Sequence, residues 1–165
     1  MNRLLNNWLF LLFTLSLIAL ISALTAEFFF DLAPCKMCLK QRHPYYAIII
    51  FILLFYFFRR VKNIWLFILS EFAILYGLFY AIWHVGIEQK ILPGPSSCSG
   101  ALSNTNSIQN LKEQISNQPI VNCAEISWTM LGLSAATINS ILLLLILFFN
   151  SIYILQNFYV AKKIS

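Results

Sequence analysis

Charged residues are scarce in this chain: they make up 10% of its 165 residues, whereas hydrophobic residues make up 60%. A soluble domain carries about a quarter charged residues. The scarcity excludes an ordinary water-soluble protein and indicates that lipid solvates most of the surface. Internal repeats and long low-complexity linkers are also missing, so residues 1–165 are predicted to form a single domain.

A basic surface suited to nucleic acid is missing as well, although the net charge is +5. The positive residues lie in short clusters beside apolar runs, as topology signals for membrane insertion do. The densest cluster is Arg59-Arg60 with Lys62, while Arg3 and Lys162-Lys163 lie near the termini. The positive-inside rule therefore predicts a membrane protein with both termini in the cytoplasm. No basic patch remains that could bind a polyanion, so no nucleic-acid partner is expected.

Four apolar runs are each long enough, with their flanks, to approach the roughly 20 residues that a membrane-spanning helix needs. They cover roughly residues 8–26, 44–58, 64–86 and 130–154. The predicted fold class is an all-α integral membrane protein, a four-transmembrane-helix bundle with periplasmic loops at 27–43 and 87–129. Pro44 either starts the second span or kinks it. The first run is long for a signal-peptide core, so a cleaved signal is the less favoured interpretation.

Histidine is rare, and the two that occur exclude some redox cofactors. Leu39 stands where a c-type haem attachment motif needs histidine after C-x-x-C. His43 and His84 both fall near one membrane interface of the predicted topology, so they cannot bridge the membrane as haem ligands of a respiratory subunit would. No haem or tightly bound flavin is expected.

Four cysteines occur, two in each predicted outer loop, so all four share one side of the membrane. Cys35 and Cys38 form a C-x-x-C pair, and such pairs are reactive more often than structural. Cys98 lies in a turn-rich Pro/Gly/Ser segment and is expected to be exposed and mobile. If the loops face the oxidising periplasm, disulfides between these cysteines can form and persist there.

Two structural alternatives compete with a redox role. The cysteines can be inert staples, which suits the pair in the long loop better than the C-x-x-C pair. A four-cysteine zinc site is less favoured because Cys98 and Cys123 are 25 positions apart, whereas closed sites draw on two short-spaced pairs. The residues alone leave the three possible connectivities of four cysteines open.

Several short motifs follow one another in a specific order. They are Pro34-Cys35-x-x-Cys38-x-x-x-Arg42, His84-Val85-Gly86-Ile87-Glu88, Gly94-Pro95-x-x-Cys98, and Cys123-Ala124-Glu125 followed by Trp128 and Leu131-Gly132-Leu133. In these motifs and their order, the chain resembles the disulfide bond formation protein B (DsbB) family over nearly its whole length.

The resemblance implies a membrane protein-dithiol:quinone oxidoreductase that reoxidises a DsbA-like periplasmic thioredoxin-fold oxidase and so supports protein disulfide formation. It implies a membrane quinone, ubiquinone or menaquinone, as electron acceptor, and no metal. It also implies the pairs Cys35–Cys38 and Cys98–Cys123: the partner attacks Cys98, the released Cys123 attacks Cys35, and Cys38 is left as a thiolate facing the quinone. The alternative from another class is a non-catalytic membrane subunit whose disulfides only staple its loops.

Two further residues are candidates for binding the quinone. Arg42 is four residues from Cys38 and shares its helical face if a helix begins at this loop. It is expected to hold Cys38 as a thiolate and to polarise a quinone carbonyl. His84 is expected to bond a quinone oxygen through a ring nitrogen, a role that rests on the resemblance.

Two features stand outside this chemistry. Glu71 is the only acid inside a predicted span, and its side chain is expected to be hydrogen-bonded within the bundle, to Tyr76 or Asn139. Residues 103–118 carry an apolar stripe of Ile108, Leu111 and Ile115 that suits a short interfacial or capping helix. A solvated loop explains that stripe equally well.

Overall fold

The structure is a computed structural model, and it describes residues 2–58, 63–95, 98, 122–126, 128–130 and 132–164. Two sequence predictions fall on residues outside this part of the chain. They are the basic cluster of Arg59, Arg60 and Lys62 and the short helix over 103–118.

Long helices make up most of the described chain, as the composition predicts. Their bounds are Asn2–Phe29 (α1), Lys36–Phe58 (α2), Asn63–Glu88 (α3) and Ala135–Ile164 (α4). Three of them contain segments that are long and apolar enough to cross a membrane: Asn7–Phe29, Ile64–Glu88 and Ala135–Asn157. Helix α2 differs because its first two turns carry Lys36, Lys40 and Arg42, which leaves a shorter apolar part. Helix α1 packs on α2, α2 on α3, and α3 on α4.

A small β-hairpin precedes α4, so the chain is not entirely helical. Strands Thr129–Met130 (β1) and Leu133–Ser134 (β2) pair antiparallel. Gly132, in the turn between them, has φ +79°, a backbone conformation that favours glycine. The predicted span beginning near Met130 therefore opens with a hairpin, and helix begins five residues later.

Ser134 explains why α4 begins where it does. Its hydroxyl oxygen accepts a hydrogen bond from the backbone N–H of Thr137 at 3.2 Å, which is the arrangement of a helix N-cap. The same hydroxyl donates to Glu88 at the end of α3. One serine thus starts α4 and ties it to α3.

Pro44 lies inside α2, eight residues after its first residue. It packs against Gly77 of α3. A Cβ atom added at Gly77 would lie 2.4 Å from Pro44 Cγ and 3.3 Å from Leu143 Cδ1 of α4. Three helices therefore meet at a point where only hydrogen fits, as small residues allow at membrane helix interfaces.

We expect Gly77→Ala to lower the free energy of unfolding by about 1–3 kcal/mol, because the new methyl overlaps a rigid proline ring. Gly86→Ala in the same helix is the matched control. Its Cβ would lie 2.7 Å from Leu92 Cδ1, the end of a flexible side chain that can turn away. Thermal unfolding in detergent micelles measures both, and equal loss in the two variants would contradict the close contact at Pro44.

Glu71 has other partners than those expected from the sequence. Its carboxylate accepts hydrogen bonds from Asn150 Nδ2 and Ser151 Oγ of α4. Tyr76 and Asn139 were the wrong candidates, because their hydroxyl and amide groups pair with His43 and with the Gln41 and Tyr45 side chains instead. Tyr76 is five positions from Glu71 along α3, which is more than one helical turn. Asn139 is eleven positions before Asn150 along α4, and the register of α3 against α4 places Asn150 rather than Asn139 beside the Glu71 carboxylate.

The opposite end of the bundle gathers the cysteines. A buried group of side chains joins the start of α2, the end of α3 and the segments around residues 98 and 123; its members are Cys35, Met37, Ile87, Cys98 and Cys123. Cys38, Tyr80, Trp83 and Ala124 pack against this group. The fold thus brings the two cysteine-bearing segments into contact at one end of the helices.

Candidate functional site

Each cysteine pair is held by local structure. Cys35 directly precedes α2 and its carbonyl accepts the N–H of Leu39, while Cys38 lies in the first turn of that helix. Cys98 and Cys123 form a disulfide, and the N–H of Cys123 donates to the Cys98 carbonyl at 3.2 Å. This pairing, which the resemblance implied, is confirmed. Cys35 and Cys38 are free thiols with sulfur atoms 2.9 Å apart.

The two pairs meet at His84 of α3. The sulfur atoms of Cys35 and Cys123 and a ring nitrogen of His84 all lie within 4.8 Å of one another. Cys35 Sγ is 3.6 Å from His84 Nε2, and all three side chains are buried. A thiolate formed on Cys123 would therefore be close to the sulfur of Cys35 without a large movement of either segment.

Cys98 is buried in this structure, contrary to the expectation of exposure. Its side chain is 2% exposed. The N–H of Cys98 bonds the Pro95 carbonyl at 2.8 Å, which closes a turn, and a Cβ atom at Gly94 would be 3.6 Å from Cys98 Cβ. Turn-forming residues indicate irregular backbone, but here the disulfide holds that backbone against Ile87 and the start of α2.

Of the free pair, Cys35 is the better thiolate. When Cys35 is the thiolate, it accepts a hydrogen bond from the Cys38 thiol across the 2.9 Å between the two sulfurs. This bond, with smaller contributions from His84 and the Cys38 N–H at 3.2 Å, lowers the pKa of Cys35 to about 4 against the opposing effect of burial. The pKa of Cys38 is raised, chiefly because its proton is held in that bond. Arg42 lowers the Cys38 pKa, and its contribution is the smallest of the causes. In the dithiol state the thiolate is therefore favoured on Cys35. The Cys38 thiolate that the resemblance implies belongs to a different state, in which Cys123 is bonded to Cys35, and it stays a prediction.

A chain of hydrogen bonds that the sequence analysis did not anticipate orients His84. Tyr45 Oη donates to Asn139 Oδ1, and Asn139 Nδ2 donates to Gln41 Oε1 at 2.8 Å. Gln41 Nε2 donates to His84 Nδ1 at 2.8 Å. With Nδ1 accepting, the ring proton sits on Nε2, where it points towards the sulfur of Cys35.

A sequence signal for these three residues existed. Gln41, Tyr45 and Asn139 carry polar groups within or beside apolar runs, and polar groups in such places need partners because lipid supplies none. The signal identifies residues that must be paired. It does not identify the partner, since Asn139 is 98 positions from Gln41 in sequence.

A cavity of about 330 Å³ opens beside Cys38, between α1, α2 and α4. Its wall is mostly apolar and includes Leu15, Ala19, Trp128 and Leu142, and its polar or reactive groups include Cys38, Gln41, Arg42 and Asn139. Cys38 and Arg42 share this wall, as their four-residue spacing predicted. His84 is linked to the cavity through Gln41.

Arg42 is fixed by α1 rather than by the cysteines. Its guanidinium forms an ion pair with Glu27 and also donates to the Ala23 carbonyl at 3.4 Å. The side chains of Arg42 and Glu27 are 12% and 26% exposed. This ion pair holds the Arg42 guanidinium in a defined position at the cavity wall. The sequence analysis did not predict the ion pair, because Glu27 lies in another helix.

Sequence comparisons agree with this constellation of two cysteine pairs. Residues 5–153 match the family described as "Disulfide bond formation protein DsbB". The chain belongs to the DsbB family. An uncharacterized protein of Rickettsia prowazekii (strain Madrid E) is 31% identical over 140 residues, which cover 84% of this chain and 81% of that relative. No solved structure matches the chain.

Membership of the DsbB family identifies this chain as a membrane-associated oxidoreductase of disulfide bond formation. The Cys98–Cys123 disulfide and the adjacent Cys35–Cys38 pair fit that activity. Glu71 and Asn150 lie far along α3 and α4 from the cysteines, and they belong to the packing of the bundle.

Proposed function

We propose that this DsbB-family protein is a membrane protein-dithiol:quinone oxidoreductase that reoxidises a DsbA-like periplasmic thioredoxin-fold oxidase. The observation that carries the proposal is the contact between the two cysteine pairs. Cys123 Sγ lies within 4.8 Å of Cys35 Sγ, and Cys38, the partner of Cys35, borders an apolar cavity. Electrons entering at one pair thus have a short path to the cavity.

The relay consists of thiol-disulfide exchanges, each of which breaks one S–S bond and forms another. A thiolate of the partner attacks Cys98 Sγ, which has to become accessible first because it is buried in this structure. The attack forms a mixed disulfide and releases Cys123 as a thiolate. Cys123 then attacks Cys35 of the oxidised Cys35–Cys38 pair, which releases Cys38 as a thiolate. The second thiol of the partner attacks the mixed disulfide, releases Cys98 as a thiolate and leaves with its own disulfide formed. Cys98 then attacks Cys123 of the Cys123–Cys35 disulfide, which re-forms the Cys98–Cys123 bond and leaves Cys35 and Cys38 as the reduced pair, whose two electrons a quinone would accept.

His84 and Arg42 act at the two ends of the second exchange. The Nε2–H of His84 points at the sulfur region shared by Cys35 and Cys123, where it stabilises negative charge during their exchange. Arg42 lies on the cavity wall with Cys38 and stabilises the thiolate that this exchange releases. His84 thus contributes to the quinone site through Gln41, rather than through a direct bond from its ring.

The chemical groups that line the cavity suit a quinone head group. Its apolar wall suits a ring, and the Arg42 guanidinium and the Gln41 and Asn139 amides supply donors for carbonyl oxygens. A membrane quinone, ubiquinone or menaquinone, would supply the two-electron acceptor there. The chain's own residues hold the Cys38 thiolate against this cavity and exclude water from the sulfurs by burial.

The same proposal includes four membrane spans, with α2 as the second, and a position in the bacterial inner membrane. The cysteine-bearing segments 27–43 and 87–129 then face the periplasm and both termini face the cytoplasm. Support comes from the cysteine end of the bundle, where the ends of α1 and α3 and the starts of α2 and α4 lie together. An odd number of spans would place a terminus at that end.

The test is quinol formation by the purified protein, given a reduced periplasmic thiol oxidase and a soluble quinone analogue. Wild type is expected to turn over, whereas Cys38→Ser and Cys98→Ser are expected to lose turnover, since each removes one sulfur of the relay. Cys98→Ser should also fail to form a mixed disulfide with the partner, while Cys38→Ser should still form one. Absence of turnover with every quinone and partner would favour a membrane subunit with stapled loops instead.

A further inference from the structure

The described chain brings three metal-binding atoms together at the cysteine end of the bundle. Cys35 Sγ, Cys123 Sγ and a ring nitrogen of His84 lie within 4.8 Å of one another, and Cys35 Sγ is 3.6 Å from His84 Nε2. A tetrahedral zinc ion, with Zn–S near 2.3 Å and Zn–N near 2.0 Å, places sulfur and nitrogen ligands about 3.5 Å apart and two sulfurs about 3.8 Å apart. The Cys35–His84 distance matches such an edge, whereas the two distances to Cys123, at most 4.8 Å, would have to shorten by up to about 1.3 Å.

The redox state of Cys123 decides whether this set of atoms is available. In the disulfide with Cys98, the Cys123 sulfur has no charge and is a poor ligand. Reduction releases it as a thiol beside Cys35, whose thiolate is already favoured by the hydrogen bond from Cys38. We propose that the reduced protein binds one thiophilic divalent cation, Zn²⁺, through Cys35, Cys123 and His84, and that the oxidised protein does not.

The burial, chain origin and charge of these side chains also suit a cation. Cys35, Cys123 and His84 are buried and come from three separate segments, so the ligands are held by the fold and not by one flexible loop. Two thiolates balance the charge of one divalent ion when each thiol releases its proton. The fourth position of the tetrahedron remains for solvent or for Cys38, whose sulfur is 2.9 Å from that of Cys35.

The hydrogen bonds that link His84 to Gln41, Asn139 and Tyr45 are compatible with metal binding, because every donor and acceptor among them can be exchanged. For Nε2 to bind metal, the ring proton has to sit on Nδ1, and Gln41 has to accept it. Rotating the Gln41 and Asn139 amides by half a turn reverses every bond: His84 Nδ1 donates to Gln41 Oε1, and Gln41 Nε2 donates to Asn139 Oδ1. Asn139 Nδ2 then donates to Tyr45 Oη, which accepts as readily as it donates.

A bound cation would hold the reduced protein out of the relay, since a metal-bound thiolate is not free to attack a disulfide. The inference needs the reduced cysteines and His84 only. It does not depend on a quinone or on the identity of the thiol partner, so it can fail while the proposed function stands, and the reverse also holds.

Cobalt(II) is the probe, because a tetrahedral thiolate site gives it intense visible bands and a sulfur-to-cobalt charge-transfer band. The full-length protein is reduced with a phosphine and titrated in detergent. We expect one Co²⁺ per chain with these bands, displacement of the cobalt by Zn²⁺, and no bands before reduction. Tetrahedral bands in the fully oxidised protein, or none after reduction, would overturn the proposal.

A trivial alternative is chelation by the Cys35–Cys38 dithiol alone. The variants that test each ligand are therefore made in a Cys38→Ser, Cys98→Ser background. This background keeps Cys35, Cys123 and His84 and removes the Cys35–Cys38 dithiol. This background should still give the cobalt bands. Adding Cys123→Ser or His84→Gln should abolish them; binding that survives either change would refute the site.

Gln41→Leu tests the orienting chain in the same background. Loss of a group that orients a metal-bound histidine weakens binding by about ten- to a hundredfold. Asn157→Leu is the matched control, because Asn157 lies in α4 far from the site and, within the part of the chain that the structure describes, its amide donates only to the Tyr153 carbonyl one turn away. Unchanged cobalt affinity in Gln41→Leu would show that His84 does not bind the metal in the assigned way.

Discussion

At pH 6, Cys35 of the reduced pair should be almost entirely thiolate, whereas a thiol of ordinary pKa near 9 would be about one part in a thousand ionised. The cause is the proton donated by Cys38, supported by His84 Nε2 and the Cys38 N–H. Alkylation of Cys35 should therefore change little between about pH 5.5 and pH 8 and fall only as the pH approaches 4. An ordinary thiol would react about tenfold faster with each unit of rising pH over this range.

The gain in rate is smaller than the gain in thiolate, because a thiolate of lower pKa is a weaker nucleophile. With a Brønsted slope of about 0.4–0.5, a drop of about five units lowers intrinsic reactivity by roughly two orders of magnitude. The net rate at pH 6 should exceed that of an ordinary thiol by about three- to tenfold. The flat pH profile is thus a sharper test than the rate.

The measurement uses a Cys98→Ser, Cys123→Ser background, in which only Cys35 and Cys38 can be alkylated, with mass spectrometry to locate the label. Cys38→Ala in this background removes the largest cause of the low Cys35 pKa and should restore a steep pH profile. His84→Gln should move the profile less. Preferential labelling of Cys38 at pH 6 would place the thiolate on the other sulfur and contradict the assignment.

The lowered pKa of Cys35 also decides how the free energy of unfolding of the reduced protein changes with pH. Because the folded-state pKa of Cys35 lies below its unfolded value, the thiolate contributes stability at pH values above the unfolded pKa, and this contribution is lost as the pH falls through about 4. The reduced protein should therefore be more sensitive to acid than the protein with the Cys35–Cys38 disulfide, in which neither sulfur titrates.

Asn150→Leu should lower the free energy of unfolding by about 3 kcal/mol, the largest stability loss we expect from a polar residue of the bundle. Asn150 is 0% exposed, and its amide donates to the Phe67 carbonyl and to Glu71 and accepts from Trp8 Nε1. Leucine leaves the Trp8 indole N–H and one side of the Glu71 carboxylate without partners in an apolar setting. Each such group costs about 1–3 kcal/mol.

Asn157→Leu supplies the control for the change in side chain, because it makes the same substitution in the same helix and loses only one local bond. It should cost less than about 1 kcal/mol. The double variant Asn150→Leu, Glu71→Leu should recover part of the loss, since removing both partners is cheaper than removing one. If thermal unfolding shows equal destabilisation by Asn150→Leu and Asn157→Leu, the buried hydrogen bonds of Asn150 do not contribute to the stability of the bundle.

The approximate positions of the helices were accessible from the sequence because they depend on local composition. Long apolar runs partition into lipid and satisfy their backbone groups internally, so α1 and α3 appear where the hydropathy places them. Local departures from helix within an apolar run were harder to predict. The hairpin at Thr129–Ser134 interrupts an apolar run, and only the Gly132 turn and the Ser134 cap, read together, would have indicated it.

The reactive pair was also accessible from the sequence, since C-x-x-C spacing at the start of a helix is itself a chemical signal. Which sulfur carries the charge was not. That depends on the direction of one proton between Cys35 and Cys38 and on His84, which is 49 positions away from Cys35. The burial of Cys98 likewise depends on a disulfide and on Ile87, and not on the turn-forming residues around it.

The sequence by itself thus determined that this chain is a mostly helical membrane protein of the DsbB family with four cysteines placed in two segments. Partition into lipid and C-x-x-C reactivity are properties of neighbouring residues, and short-range patterns record them. Only the tertiary structure decided that Cys123 lies beside Cys35, that Gln41 and Asn139 orient His84, and that Glu71 meets Asn150. These contacts depend on the register and crossing of whole helices, which many weak packing interactions along the chain determine together.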